Sequence, residues 1–158
     1  MIRPATPADA PMIARVNVQA WAETYPGMLP VSEIERRTYA VRLAQWTRII
    51  DLGQSRITVL PDLGFAQVGP QRSPDLTKAG YAEELYALYL LRSAHGQGHG
   101  RALLETTRSH AGFTANVLDA NTRACQFYER SGGLLLKTYD DLIDGMVVRD
   151  RVYGWAAL

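Results

Sequence analysis

The chain has 158 residues, 47% of them hydrophobic, which is enough to bury one sizeable core and favours a single domain over residues 1–158. Its formal net charge is +1 and it has no block of five like charges, so nothing in it suggests an electrostatic nucleic-acid binder. Cys125 is the only cysteine, which excludes an intrachain disulfide and a cysteine-rich metal site, and no apolar run approaches the roughly 20 residues needed to span a bilayer. The opening Met1-Ile2-Arg3-Pro4-Ala5-Thr6 lacks an apolar signal core, so a cytoplasmic protein with no membrane partner is expected.

Thr6-Pro7-Ala8-Asp9 combines an N-cap residue, a proline at the first helical position and an acid in the first turn. Ile13, Val16, Ala20 and Trp21 then recur at helical spacing and are expected to form its buried stripe. After the break at Pro26-Gly27 and Pro30, Ser32-Glu33-Ile34-Glu35 reads as a capping box opening a helical region that runs to Ile50, in two pieces. Arg56 to Leu60 and Phe65 to Val68 are short strands joined at Pro61-Asp62 as an antiparallel hairpin. Pro70 to Gly80 has no periodicity and reads as a loop.

Glu84 to Leu91 is the expected central strand, followed by a helix from Gly98 to Ser109, a strand from Thr114 to Leu118 and a helix from Asn121 to Arg130. Two late strands, about Leu134 to Tyr139 and Val147 to Tyr153, meet around Asp144-Gly145, a strong hairpin turn signal. Strand, crossover helix and strand between Glu84 and Leu118 imply a parallel pair, while the flanking hairpins imply antiparallel ones. The expected fold class is therefore α/β (α+β), a mixed sheet with helices on both faces. Cys125, beside Ala124 and Gln126 on a helix, is expected to be a small packing residue.

Between the central strand and its helix lies His95-Gly96-Gln97-Gly98-His99-Gly100-Arg101. The first turn of a helix has unpaired N–H groups and a partial positive charge, and glycines let a phosphate approach them closely. Gly100 is followed by Arg101 and Ala102 rather than Lys-Ser/Thr, so the segment is not a Walker A loop. Counting six from Gly96 or from Gly98 reaches Arg101 or Leu103 rather than glycine, so it is not a dinucleotide fingerprint either. A nucleotide-phosphate-binding protein is thereby disfavoured. His95 and His99 are four apart, but no third ligand at useful spacing follows and a turn intervenes, so no metal site is expected.

The hexapeptide does resemble the Gln/Arg-x-x-Gly-x-Gly/Ala signature of the GNAT superfamily of N-acetyltransferases, with His95 standing where Gln or Arg is usual. Asn121-Thr122-Arg123-Ala124-Cys125-Gln126-Phe127-Tyr128-Glu129-Arg130-Ser131-Gly132 resembles the second half of that signature, Asn-x-x-Ala-x-x-Phe-Tyr-Glu-x-x-Gly. Its local chemistry is coherent: Asn121 caps a helix and Gly132 closes it. Arg151-Val152-Tyr153-Gly154-Trp155 and Trp21 to Pro30 also resemble segments of this group, and Gly132-Gly133 stands where the pattern often has Gly-Phe. The resemblance implies the GNAT fold, with two parallel strands splayed apart and the pantetheine arm of acetyl-CoA between them. It also implies transfer of an acetyl group directly from the thioester to a primary amine. The alternative on the same fold is a non-catalytic acyl-CoA-binding or regulatory module.

Within that resemblance, backbone N–H groups of Leu88, Tyr89 and Leu90 are expected to bind the pantetheine amides. His95, Gly96, Gln97, Gly98, His99, Gly100 and Arg101 are expected at the phosphates, with His95 donating a hydrogen bond, and Asn121 and Tyr128 also at the cofactor. An alkyl amine has a pKa of about 10.4, so at pH 7 only about one molecule in 2,500 is neutral and a base is useful. The resemblance places a carboxylate base near Glu83 and Glu84, and Glu84 is preferred because it directly precedes Leu85-Tyr86-Ala87-Leu88 in the strand; exposed structural charges are the competing reading. Tyr128 is the expected general acid, since a phenol of pKa about 10 keeps its proton at neutral pH and donates it to a departing thiolate. The acceptor stays open between a small-molecule amine and a peptide or protein amine. Trp21 to Leu29 and Pro70 to Gly80 are expected to border its side, and a homodimer is common among the proteins resembled.

Overall fold

A computed structural model describes residues 1–158. Seven strands form one mixed sheet in the order β1-β2-β3-β4-β5-β7-β6. The strands are β1 (Arg3–Pro4), β2 (Arg56–Leu60), β3 (Gly64–Pro70), β4 (Glu83–Leu90), β5 (Phe113–Leu118), β6 (Leu134–Ile143) and β7 (Met146–Trp155). The helices are α1 (Ala10–Thr24), α2 (Val31–Glu35), α3 (Tyr39–Leu52), α4 (Pro74–Lys78), α5 (His99–Thr107) and α6 (Thr122–Arg130). The expected mixed sheet is present, with β4 and β5 its parallel pair and all other neighbours antiparallel.

The period-2 alternation of the strands divides the core in two. Ile57, Val59 and Phe65 pack with Ile13, Val16 and Ala20 of α1 and Trp46 of α3 on one face. Leu60, Ala66, Val68, Leu85, Ala115 and Tyr153 pack with Leu103 and Leu104 of α5 and Cys125 and Tyr128 of α6 on the other. Cys125 is thus a packing residue, as its surroundings in sequence imply. Burying a Leu or Phe side chain contributes about 1.5–3 kcal/mol, so these two clusters hold the layers together. One buried polar pair crosses the first cluster: the Trp46 indole N–H donates to Asn17 Oδ1 at 2.9 Å, tying α3 to α1.

Three expectations give way to local chemistry. Ser32 does not cap α2; the helix begins one residue earlier after Pro30, and the Ser32 hydroxyl donates to Asp144 in the β6–β7 turn. Pro70 to Gly80 is not wholly loop, because Ser73 accepts from the Leu76 N–H and nucleates the single turn of α4. Trp21 is not in the core stripe: its ring lies half-buried at the end of α1, between the guanidinium groups of Arg37 and Arg42, at 4.8 and 4.7 Å from the ring centre. The Asp144-Gly145 turn is as expected, with φ of +46° and +81°, the two left-handed residues that a tight hairpin turn requires.

One irregularity creates the site. β4 pairs with β5 only through Glu83, Glu84 and Leu85 opposite Phe113, Thr114 and Ala115, after which the two strands part. On its other side β4 carries a bulge: Val68 faces Leu85 and Gln67 faces Ala87, leaving Tyr86 without a partner. The extra residue resets the alternation, so that Leu85, Leu88 and Leu90 face the α5–α6 layer while Ala87 and Tyr89 face α1 and α3.

Candidate active site

The opening between β4 and β5 is a cleft of about 860 Å³ that runs through the sheet from one face to the other. On the α5–α6 side it is lined by Leu88, Leu90, His95, Gly96, Gly98, His99, Gly100, Arg101, Asn121 and Tyr128. Tyr89 lines it from the other face. Every cofactor-binding residue expected from the sequence therefore converges on it except Gln97, which is exposed and donates from Nε2 to the Ser93 carbonyl at 3.2 Å. Because β5 has left, the edge of β4 from Tyr86 to Leu90 presents backbone amides to the cleft instead of to a neighbouring strand.

Gly98, in the left-handed region with φ of +81°, caps α5 and turns its first N–H groups toward the opening. Gly100 has a packing reason as well, since a Cβ there would come within 3.2 Å of the Phe127 ring of α6. Asn121 caps α6, its Oδ1 accepting from the Ala124 N–H at 3.2 Å. Arg123 and Arg130 of α6 line the same half of the cleft, and neither has an ion-pair partner. Unpaired cations, a helix N-terminus and an open strand edge fit a long ligand bearing amides and phosphates, as acetyl-CoA does.

His95 is placed differently from a simple phosphate donor. Its Nε2 lies 3.1 Å from the Leu90 carbonyl, which only accepts, so this nitrogen carries the proton. Nδ1 is buried without a partner and, in the neutral ring, is an acceptor. His95 thus braces the end of β4 through Nε2 rather than offering that N–H to a phosphate.

Tyr128 is 7% exposed and its hydroxyl, at the cleft wall, has no hydrogen-bond partner in the protein. Burial, with Tyr89 and Cys125 nearby, pushes its pKa well above that of an ordinary phenol. It therefore keeps its proton at neutral pH. Tyr25 and Tyr89, whose hydroxyls are 3.4 Å apart, continue the wall toward Trp21, Leu29, Glu33 and Arg37 on the opposite face.

The two adjacent glutamates diverge. Glu83 is bound by Arg56 at 2.8 and 2.9 Å and by the Ser109 hydroxyl at 2.6 Å, which together draw its pKa down. It ties β4 to β2 and to the end of α5. Glu84 is 6% exposed and lies outside the main cleft, in an adjoining hollow with Gln71, Lys137 and Tyr139. Arg72 grips it at both oxygens, Nε at 3.1 Å and Nη2 at 2.6 Å, and stacks 4.1 Å above the Tyr86 ring. The side chain of Asn116 borders both spaces. A carboxylate that the sequence reading missed, Asp150 of β7, does line the cleft. Its signal was weak, because it is one acid among Asp140, Asp141, Asp144 and Asp150 in a hairpin whose inward face depends on register.

Comparison with known proteins agrees with this arrangement. The model of the family described as the acetyltransferase (GNAT) domain matches residues 53–132. An uncharacterized N-acetyltransferase of Bacillus subtilis is 36% identical over 108 residues, covering 65% of this chain and 59% of that protein, so the match spans about three-fifths of the relative's length. Among solved structures, a putative acetyltransferase of Salmonella typhimurium with its cofactor acetyl-CoA superposes with a TM-score of 0.73 at 20% identity, over 99% of this chain and 92% of that one. A ribosomal-protein-alanine N-acetyltransferase of Brucella melitensis gives 0.70 at 21% identity, over 99% of both chains. At these identities the two structures establish a shared fold.

Proposed function

The chain belongs to the GNAT acetyltransferase family, and from that premise we propose that it transfers an acetyl group from acetyl-CoA directly to a primary amine of a small molecule or protein. The observation that carries this reading is the parting of β4 and β5 beside a glycine-capped helix N-terminus, with the unpartnered Tyr128 hydroxyl in the gap. When bound, acetyl-CoA supplies the activated acetyl thioester. The free amides of β4 between Tyr86 and Leu90 orient the pantetheine arm, and α5 with Arg101, Arg123 and Arg130 holds the phosphates. Tyr128 holds a proton at the point where a thiolate departs and donates it there. Glu84, the carboxylate that the sequence favours as base, serves only if Arg72 swings away from it.

A cleft that continues past the sheet to Trp21, Tyr25 and Asp150 supports transfer over a module that merely retains an acyl-CoA, since it leaves room for a second substrate. Isothermal titration with acetyl-CoA, with ATP and NAD as controls, tests the cofactor. A panel of amino acids, polyamines, arylalkylamines and short peptides then tests transfer. Micromolar binding of acetyl-CoA alone followed by acetylation of at least one amine is expected. No binding, or equal binding of ATP and NAD, overturns the reading.

A further inference from the structure

The acids in and around the acceptor half of the cleft differ sharply in their partners. Glu33 is engaged by Arg37 at 2.7 Å and also by Arg36. Glu84 is engaged by Arg72, and Asp144 by Arg36 and Ser32. Asp150 has neither an ion pair nor a hydrogen bond, although it is half-buried and lines the cleft. It stands on β7 opposite Leu118 of β5 and Tyr139 of β6, beyond the point at which β5 has parted from β4.

Its neighbours do not neutralise it. Asn116 Nδ2 donates 3.1 Å to the Tyr139 hydroxyl rather than to the carboxylate. Arg149 turns to Asp140 at 2.9 Å, and Arg151 turns to Asp119 at 2.6 Å. Lys137 of β6 borders the hollow of Glu84, not the main cleft, and Arg37, between α2 and α3, is held by Glu33. Asp141 of β6 adds a like charge, and burial together with Asp141 raises the Asp150 pKa above the usual carboxylate range. An unpaired, partly desolvated carboxylate costs free energy, and a cation arriving there recovers it.

Resting on the acetyl-transfer reading, we infer that Asp150, not Glu84, receives the ammonium group of the acceptor and takes its proton, so that the acceptor is a cationic primary amine. One proton passes from the ammonium nitrogen to an Asp150 oxygen, and the freed lone pair forms the N–C bond. The C–S bond breaks with its electron pair on sulfur, which takes the Tyr128 proton. The second nitrogen proton restores Tyr128, and Asp150 releases its own to solvent. No further reactant is required.

The test compares Asp150→Asn, Asp150→Glu and Glu84→Gln with the parent protein, using the amine of the panel that the parent acetylates fastest. For Asp150→Asn, acetyl-CoA affinity by titration calorimetry should stay within twofold while kcat/KM for the amine falls at least 100-fold at pH 7. The deficit should shrink as pH rises toward the amine pKa of about 10.4, where the neutral amine arrives without help. Asp150→Glu should recover part of the rate. A structural role would lower the rate without that change in pH profile. Turnover that survives Asp150→Asn, or a pH-dependent loss confined to Glu84→Gln, overturns the assignment alone. A parent protein that binds acetyl-CoA but acetylates no amine overturns the transfer reading and this assignment with it.

Discussion

At the scale of single residues, Tyr128 separates chemistry from packing unusually well. Its ring is in the core, 5.5 Å from that of Trp155, yet its hydroxyl bonds to nothing in the protein. Tyr128→Phe keeps every ring contact and leaves no donor or acceptor stranded. Its melting temperature should match the parent's, and its acetyl-CoA affinity should fall no more than severalfold because one hydroxyl contact among many is lost, while kcat falls by about 10²–10⁴. Calorimetry and steady-state kinetics on one preparation check all three, and unchanged turnover would remove Tyr128 from the acid role. The place of Tyr128 on the cleft wall was legible in the sequence because Asn-x-x-Ala-x-x-Phe-Tyr is a local pattern on one helix. Asp150 was not, because its isolation depends on where Arg149 and Arg151 find partners on two other segments.

At the scale of elements, two devices set helix geometry. Thr6 and Asp9 start the first helical segment: the Thr6 N–H donates to Asp9 Oδ2 at 2.8 Å, and Arg3 binds the same carboxylate through both terminal nitrogens at 2.8 and 2.9 Å. Arg3 first, then Thr6, holds the Asp9 pKa at about 2. An unfolded aspartate titrates near 3.9, so the folded state gains stability from this group above about pH 4 and loses it as pH falls toward about 2. With Arg3 partly in water, Asp9→Asn should cost about 1 kcal/mol at pH 7, the difference from the parent in urea unfolding closing between about pH 4 and pH 2. At the other end of the chain, Gly133 occupies the place where the family pattern has an aromatic. A Cβ there would meet Trp155 at 2.7 Å and the Tyr128 carbonyl at 2.9 Å. The Trp155 indole, stacked 4.5 Å from Phe113 and donating to the Ser131 carbonyl at 3.1 Å, fills that space from β7. Gly133→Ala should therefore destabilise by about 1–3 kcal/mol in urea unfolding, where an open turn position would tolerate it.

At the scale of the molecule, elements with strong local signals were read correctly from sequence: the strand, glycine turn and helix around Gly98, the capped α6 and the Asp144-Gly145 hairpin. What escaped was contact between distant segments. The β4 bulge at Tyr86 follows from the pairing of β3 with β4, and the Arg72 grip on Glu84 follows from the path of the chain after β3; neither has a signature in the residues themselves. The bridge over the acceptor half is of the same kind. Arg36 Nη2 reaches Asp144 Oδ2 at 3.1 Å across 108 positions of sequence, joining α2, which carries Glu33, to the hairpin that carries Ile143 and Asp150. A surface ion pair of this sort does little for stability but restrains two walls of one cleft. Asp144→Gly preserves the positive φ of the turn and removes both contacts to α2. It should leave the melting temperature and the acetyl-CoA affinity unchanged while raising KM for the amine severalfold, because only the acceptor half loses its restraint. An equal loss of acetyl-CoA affinity would show instead that the two halves of the cleft move as one.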